Sequence, residues 1–295
     1  MGLVAQVAQS YFELMALDNE LAIVRRTLEA RREGVRLAEI RFKGGLTSEI
    51  VFQQAKVELA KTATMVPDLE RRISLKESEI ALLTGDFPYA VNRNVLPEEI
   101  QLPDALPLGL PSTLQERRPD IRKAERELMA AHAEVGLAYT NMFPRLALTA
   151  TLGAESETLR DLLKSPYSYL AGNLLSPLFA MGKNRAALKA KRAAYEGAVA
   201  EYEKTVLTAF KETHNAIINF NKIKDIYESR RQLAEASRTA VELAQLQYIN
   251  GVIGYLDLLD AQRNYFDAQV SLSNAVCDKQ LMIINLYKAL GGGWK

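Results

Sequence analysis

Proline and glycine are spread very unevenly along this sequence, and that distribution constrains the fold more than any other feature. No proline occurs between Met1 and Val66, and none between Leu178 and Lys295. Prolines gather instead at positions 88, 97, 103, 107, 111 and 119. Proline inside a helix removes a backbone hydrogen bond and clashes with the preceding turn, so long proline-free stretches are where long helices can run. The pattern predicts two long helical regions separated by an irregular segment. The first runs from about Ala5 to Lys43, breaks at Lys43-Gly44-Gly45-Leu46-Thr47-Ser48, and resumes to about Thr84, with Gly85 as its C-terminal stop. The last starts near Lys183, reaches Tyr248-Ile249-Asn250-Gly251, and resumes to Leu290 before Gly291-Gly292-Gly293. A helix over residues 183–249 would be roughly 100 Å long at about 1.5 Å per residue, far longer than the helices of ordinary globular domains.

Apolar positions in these regions recur in steps of three and four. Along Leu256, Leu259, Arg263, Phe266, Val270, Ser273, Cys277, Gln280, Ile284 and Tyr287, seven of ten are apolar, a coiled-coil-like seam with polar interruptions. Before Gly251 the seam is less regular: Val206, Phe210, Ile217, Phe220 and Tyr227 fit it, while Lys224 and Arg231 do not. The expectation is long hairpins packed on neighbours, not a clean two-stranded zipper. The two regions also repeat each other at an ungapped offset of 206 residues. Arg25 falls on Arg231, Val35 on Val241, Ala38 on Ala244, Phe42 on Tyr248, Gly45 on Gly251, Ala55 on Ala261 and Gly85 on Gly291. Shared turn and end glycines in one register indicate an internal duplication of a helix–turn–helix hairpin.

Between the repeats the texture changes. In Phe143-Pro144-Arg145-Leu146-Ala147-Leu148-Thr149-Ala150-Thr151-Leu152-Gly153, Leu146, Leu148, Ala150 and Leu152 would share one face of a strand. Residues 167–179 form a second strand-like run with aromatics at both ends. Each run is long enough for a membrane-spanning strand with an interfacial aromatic girdle. From pattern alone, an antiparallel hairpin packed on the helices takes precedence, because one strand's alternation is a weak signal.

Several function classes lack support. The 37 basic and 36 acidic residues leave a net charge of +1, which gives no electrostatic footprint for nucleic acid. The one cysteine, Cys277, supports neither a disulfide framework nor a zinc cage and reads as a small core residue. His132 and His214 are isolated on predicted helices. There is no phosphate-binding glycine loop, nucleophile elbow or His-x-x-x-His pair, so no enzyme, cofactor or metal site is expected. No stretch approaches 18 uncharged apolar residues, and the first residues read as carrying no export signal and no lipid-accepting cysteine. One constellation stands out: in Tyr255-Leu256-Asp257-Leu258-Leu259-Asp260-Ala261-Gln262-Arg263, Asp257 and Asp260 share a helix face just after the Gly251 turn. Taken alone they are two exposed carboxylates favoured by a helix N-terminus. The first repeat carries Val51 and Gln54 in their places, so the hairpin fold itself does not require them.

Three segments together resemble the outer-membrane efflux protein family, the TolC-like ducts, and most closely its OprM/NodT-type lipoprotein branch. They are Leu110-Pro111-Ser112-Thr113-Leu114-Gln115-Glu116-Arg117-Arg118-Pro119-Asp120-Ile121-Arg122-Lys123-Ala124-Glu125 with Phe143-Pro144, then Pro177-Leu178-Phe179-Ala180-Met181-Gly182-Lys183-Asn184, and finally Gln247-Tyr248-Ile249-Asn250-Gly251 through Arg263. The resemblance covers essentially the whole chain. It implies a mainly α fold with a small β part: long helical hairpins of a helical-barrel protomer, plus one β-hairpin of a trimeric transmembrane β-barrel. It implies an outer-membrane channel with a periplasmic extension, exporting drugs or other small toxic compounds. The implied partners are two further copies in a homotrimer, a periplasmic adaptor protein, an inner-membrane efflux pump and outer-membrane lipid.

Carried onto this sequence, the resemblance makes residues 1–85 a first periplasmic hairpin and 86–120 a belt segment. Residues 121–142 lead to the barrel, 143–180 hold its strands, 181–291 form the second hairpin, and 292–295 are a tail. The turns at Gly45, Leu46 and Thr47 and at Gly251, Val252 and Ile253 become adaptor-docking tips, and Asp257 and Asp260 become pore-closing aspartates. A full family member has two strand hairpins, so the single one here implies a C-terminal piece of a duct. The alternative is a soluble, coiled-coil-like helical scaffold without pore activity.

Overall fold

The computed structural model describes residues 2–93, 118–155, 157, 166–176 and 179–292. The elements run α1 (Gly2–Lys43), α2 (Glu49–Thr84), α3 (Pro119–Thr140), β1 (Arg145–Ala154), β2 (Pro166–Leu175), α4 (Met181–Ile249) and α5 (Tyr255–Ala289). They fall into two units, residues 1–110 with 211–295, and residues 111–210, with α4 contributing to both. Most of the expected belt, the start of the first resemblance segment, Pro177 and Leu178, and all but Gly292 of the C-terminal tail lie outside the described residues.

In the first unit the 206-residue repeat is reproduced at the level of the backbone. The first turn is closed by Gly45 N–H on Phe42 O and Leu46 N–H on Arg41 O; the second by Gly251 N–H on Tyr248 O and Val252 N–H on Gln247 O. Both are helix stops in which a left-handed residue turns the chain back over its last carbonyls. The φ angles of Gly45 and Gly251 are 71° and 73°, a region where a side chain is strained. The same pattern closes α2 at Gly85 and follows α5 at Gly291, both with φ 82°. Pro67 lies inside α2 without ending it.

Helix α1 packs against α2 and α5. Leu14, Leu17, Leu21 and Val24 of α1 meet Leu69, Ile73 and Ile80 of α2, with Val91 from the following chain. The 3-4-3 spacing on α1 is that of a coiled-coil seam. Arg93 fastens that following chain, donating from Nε to Asp18 (2.9 Å) and from Nη1 to Glu77 (2.6 Å). Helix α4 meets α5 through Ala216 and Phe220 against Leu286 and Ala289, and through the Arg230 Nη1 bond to Ser271 O (3.2 Å).

The seam expected on α5 is only partly the buried one. Leu259, Ser273 and Gln280 are buried, whereas Leu256 and Tyr287 are exposed. The polar interruptions have a reason, since α1 docks there by hydrogen bonds. Asn19 Nδ2 donates to Ser273 Oγ (2.8 Å), Gln9 Nε2 to Asn285 Oδ1 (2.8 Å), and the Cys277 thiol lies 3.6 Å from Phe12 O. Cys277 is half-buried, and that burial pushes its thiol up to about 11.

In the second unit β1 and β2 form an antiparallel two-stranded sheet pairing Arg145 with Leu175 through Ala154 with Pro166. Both strands are shifted from the expected bounds. Phe143 is still turning out of α3, its N–H bonded to Thr140 O, and the ladder starts at Arg145. The second strand ends at Leu175 because Leu175 pairs with the first residue of β1, which leaves Phe179 in a turn. Next to the hairpin, Asn184 Nδ2 on α4 donates to Asn141 O (2.9 Å), and Lys191 pairs with Glu134 of α3 (2.5 Å).

Candidate functional site

The ten-residue strands place Leu146, Leu148, Ala150 and Leu152 opposite Leu174, Gly172, Leu170 and Ser168, so one face of the hairpin is leucine-rich. The other carries Thr149 and Thr151 opposite Ala171 and Tyr169. The expectation of a hairpin packed on helices is not met among the described residues. Leu146, Leu148 and Leu152 are 67%, 72% and 86% exposed. Ten residues is the length of a tilted membrane-spanning strand, and apolar/polar alternation with both faces unpacked is what a barrel wall requires. Gly153 allows Tyr167 to lie across the strand; a Cβ there would meet the tyrosine ring at 2.8 Å. No helix among the described residues is long and apolar enough to cross a membrane.

The two helical turns form the other candidate region. Gly45, Leu46, Gly251 and Val252 are exposed, while Thr47 and Ile253 are half-buried. Beneath them, Ala38 and Ala55 of the first hairpin pack with Tyr248, Tyr255, Leu258 and Leu259 of the second, with Phe52 and Ile253 at the margin. The guanidinium of Arg41 lies over the Tyr248 ring, 4.8 Å from its centre. Burial pushes the phenols of Tyr248 and Tyr255 above their ordinary range. Arg41 Nε, Thr47 Oγ1 and Tyr248 Oη are buried here without a hydrogen-bond partner. Unsatisfied buried polar atoms are costly, and native structures carry few of them.

Asp257 and Asp260 lie in the first two turns of α5, both exposed. Asp257 accepts a hydrogen bond from Gly254 N–H (3.0 Å), which fixes the start of the helix. Asp260 lies 3.6 Å from Arg263 Nη1. Arg263 in turn donates from Nη2 to Glu58 of α2, a residue only 5% exposed. Arg31 of α1 lies 3.9 Å from the other Glu58 oxygen and donates from Nη1 to Gln262. The Arg263 guanidinium holds the Glu58 carboxyl below its usual range, and burial lowers the pKa of Arg31.

This ion chain joins three helices just above the turns. The residue pattern did not reveal it. Its signal was Arg263, an arginine in an apolar seam three residues after Asp260, but Glu58 lies 205 residues away. Among the described residues no His, Cys, Asp and Glu group could hold a metal ion. His132 rests against Tyr195 with ring centres 5.5 Å apart.

Residues 1–86 and 110–292 match the family described as outer membrane efflux protein. The chain belongs to that family. The outer membrane protein OprJ of Pseudomonas aeruginosa is 34% identical over 99% of this chain, which covers 62% of the relative. The solvent efflux pump outer membrane protein SrpC of Pseudomonas putida is likewise 34% identical, with 99% of this chain and 63% of the relative covered. The chain thus spans less than two thirds of the length of these curated relatives. Among solved structures, the outer-membrane channel OprN superposes with a TM-score of 0.85 at 31% identity, covering 99% of this chain and 66% of that one. The TolC-like class read from the sequence, mainly helical with one small β-hairpin, is the class of this family.

Proposed function

We propose that this chain is the channel-forming protomer of a tripartite efflux system. The β-hairpin contributes two strands to a barrel in the bacterial outer membrane, and the helical hairpins extend into the periplasm. The observation that carries the reading is the exposed leucine face of β1 and β2, which suits lipid and is covered by no helix among the described residues. Helix α4 also leaves Ile218, Ile226, Leu233, Leu243 and Leu246 exposed, apolar surface suited to neighbouring protomers of a homotrimer. In this reading the exposed turns around Leu46 and Val252 are where a periplasmic adaptor docks, and an inner-membrane pump delivers small toxic molecules or drugs through it. SrpC is named for solvent efflux, which supports small-molecule export. A soluble scaffold would account for the helical hairpins but gives the leucine face no role.

Threefold symmetry would gather the carboxylates of Asp257 and Asp260 into a ring at the periplasmic end. Such a ring favours cations, resists anions and narrows the pore. Opening would then move α4 and α5 relative to α1 and α2, a shift between two packed arrangements. The test is planar-bilayer recording of the assembled trimer. Asp257→Ala combined with Asp260→Ala raises conductance and weakens cation selectivity; unchanged conductance and selectivity overturn the assignment.

A further inference from the structure

We propose that Glu58 and Arg263 set the charge that the aperture presents, because the buried Glu58 carboxylate draws the Arg263 guanidinium away from Asp260. This rests on the reading of Asp257 and Asp260 as the aperture. Arg263 has two carboxylates within reach, one at each of its terminal nitrogens. On Nη2 it donates to Glu58, which is nearly sequestered from water; on Nη1 it faces Asp260 at 3.6 Å, whose side chain is 70% exposed. A charge pair attracts more strongly where water is excluded, so the guanidinium charge is committed mainly to Glu58. Asp260 is left with a long, solvent-screened contact and keeps most of its negative field.

Arg31 makes the balance adjustable. It is buried, lies 3.9 Å from the second Glu58 oxygen, and is held by Gln262, one residue before Arg263 on α5. Arg31, Glu58, Arg263 and Asp260 together carry no net charge, so removing one charged member leaves a net charge on the group. Without the Glu58 charge, Asp260 is the carboxylate left to Arg263 among the described residues. The guanidinium then neutralises Asp260, and each protomer gains one positive charge within a Debye length of the aperture. Without the Arg263 charge, Asp260 faces the pore uncompensated. Glu58 is therefore a positioning residue that acts on selectivity through Arg263.

The experiment measures reversal potentials across a salt gradient for the assembled channel with Glu58→Gln, Arg263→Gln and both together. Glu58→Gln lowers the cation-to-anion permeability ratio about two- to fivefold, Arg263→Gln raises it by a similar factor, and the double variant returns to within about twofold of the parent. A merely structural role loosens the same contact in both single variants and moves both the same way. Same-direction shifts, or no shift in either, overturn the proposal. Should Glu58→Gln not assemble, Arg263→Gln carries the test alone, since a ratio that fails to rise overturns it. The Asp257→Ala/Asp260→Ala channel in the same assay separates the two readings. If it leaves selectivity unchanged, the aperture reading fails; if it lowers selectivity while the two single variants do not diverge, only the charge-setting role fails.

Discussion

Replacing Glu58 by glutamine keeps the shape of the side chain and removes its charge. Two guanidinium groups depend on that charge, to different degrees. Arg263 is 46% exposed and can be rehydrated, so its share of the loss is under about 1 kcal/mol. Arg31 is 7% exposed on α1, and Glu58 is the carboxylate it faces among the described residues, so without it the charge stays buried with the hydrogen bond to Gln262. Leaving a buried charge without its partner costs about 3–5 kcal/mol, and the 3.9 Å separation places this case at the low end, about 3 kcal/mol in total. Arg263 depresses the folded-state pKa of Glu58. The stabilisation is therefore fully present above the unfolded carboxyl value of about 4.3 and is lost as pH falls through the folded value. The assay is urea unfolding of parent and Glu58→Gln at a series of pH values. The expected deficit is about 3 kcal/mol at pH 7 and narrows progressively as pH falls below about 4. A deficit under about 0.5 kcal/mol at pH 7, or one equally large at pH 3, refutes the reasoning.

Two further outcomes follow from the local geometry. Alanine at Gly45 or at Gly251 forces a Cβ into left-handed backbone at equivalent stops, so each substitution costs about 1 kcal/mol in urea unfolding, and the two losses agree closely. The Cys277 thiol, raised by burial to about 11, carries about a hundredfold less thiolate at pH 8 than an ordinary cysteine. It therefore reacts with a disulfide reagent correspondingly slowly until the chain is unfolded, which time-resolved absorbance would follow.

Much of the helical architecture was legible in the sequence because its stops are local chemistry. Gly45, Gly85, Gly251 and Gly291 all have positive φ, and the bonds that Gly44, Gly45 and Leu46 donate at the end of α1 recur 206 residues later from Asn250, Gly251 and Val252. Strand limits were less legible, because a strand's end is set by its partner. Phe179 looks like a strand terminus, yet Leu175 is the last residue with an opposite number on β1. Burial on α5 is only partly legible for a related reason. A helix touched by both α1 and α4 has no single seam, so Ser273 is buried by its bond to Asn19 while Leu256 stays exposed. Asp257 and Asp260 stand out as a pair in the sequence, but the ion chain behind them does not. Glu58 and Arg31 look like surface charges until three helices converge on them.

In the proposed function, β1 and β2 form part of a membrane channel wall. Spin labels placed singly at residues 146–152 of the protein in its native membrane, read for exposure to oxygen dissolved in lipid and to a water-soluble nickel complex, test it most directly. The expected result is alternation with a period of two, with positions 146, 148 and 152 facing lipid and positions 147, 149 and 151 facing water. Uniform water exposure, or recovery of the protein outside the membrane fraction, would contradict it.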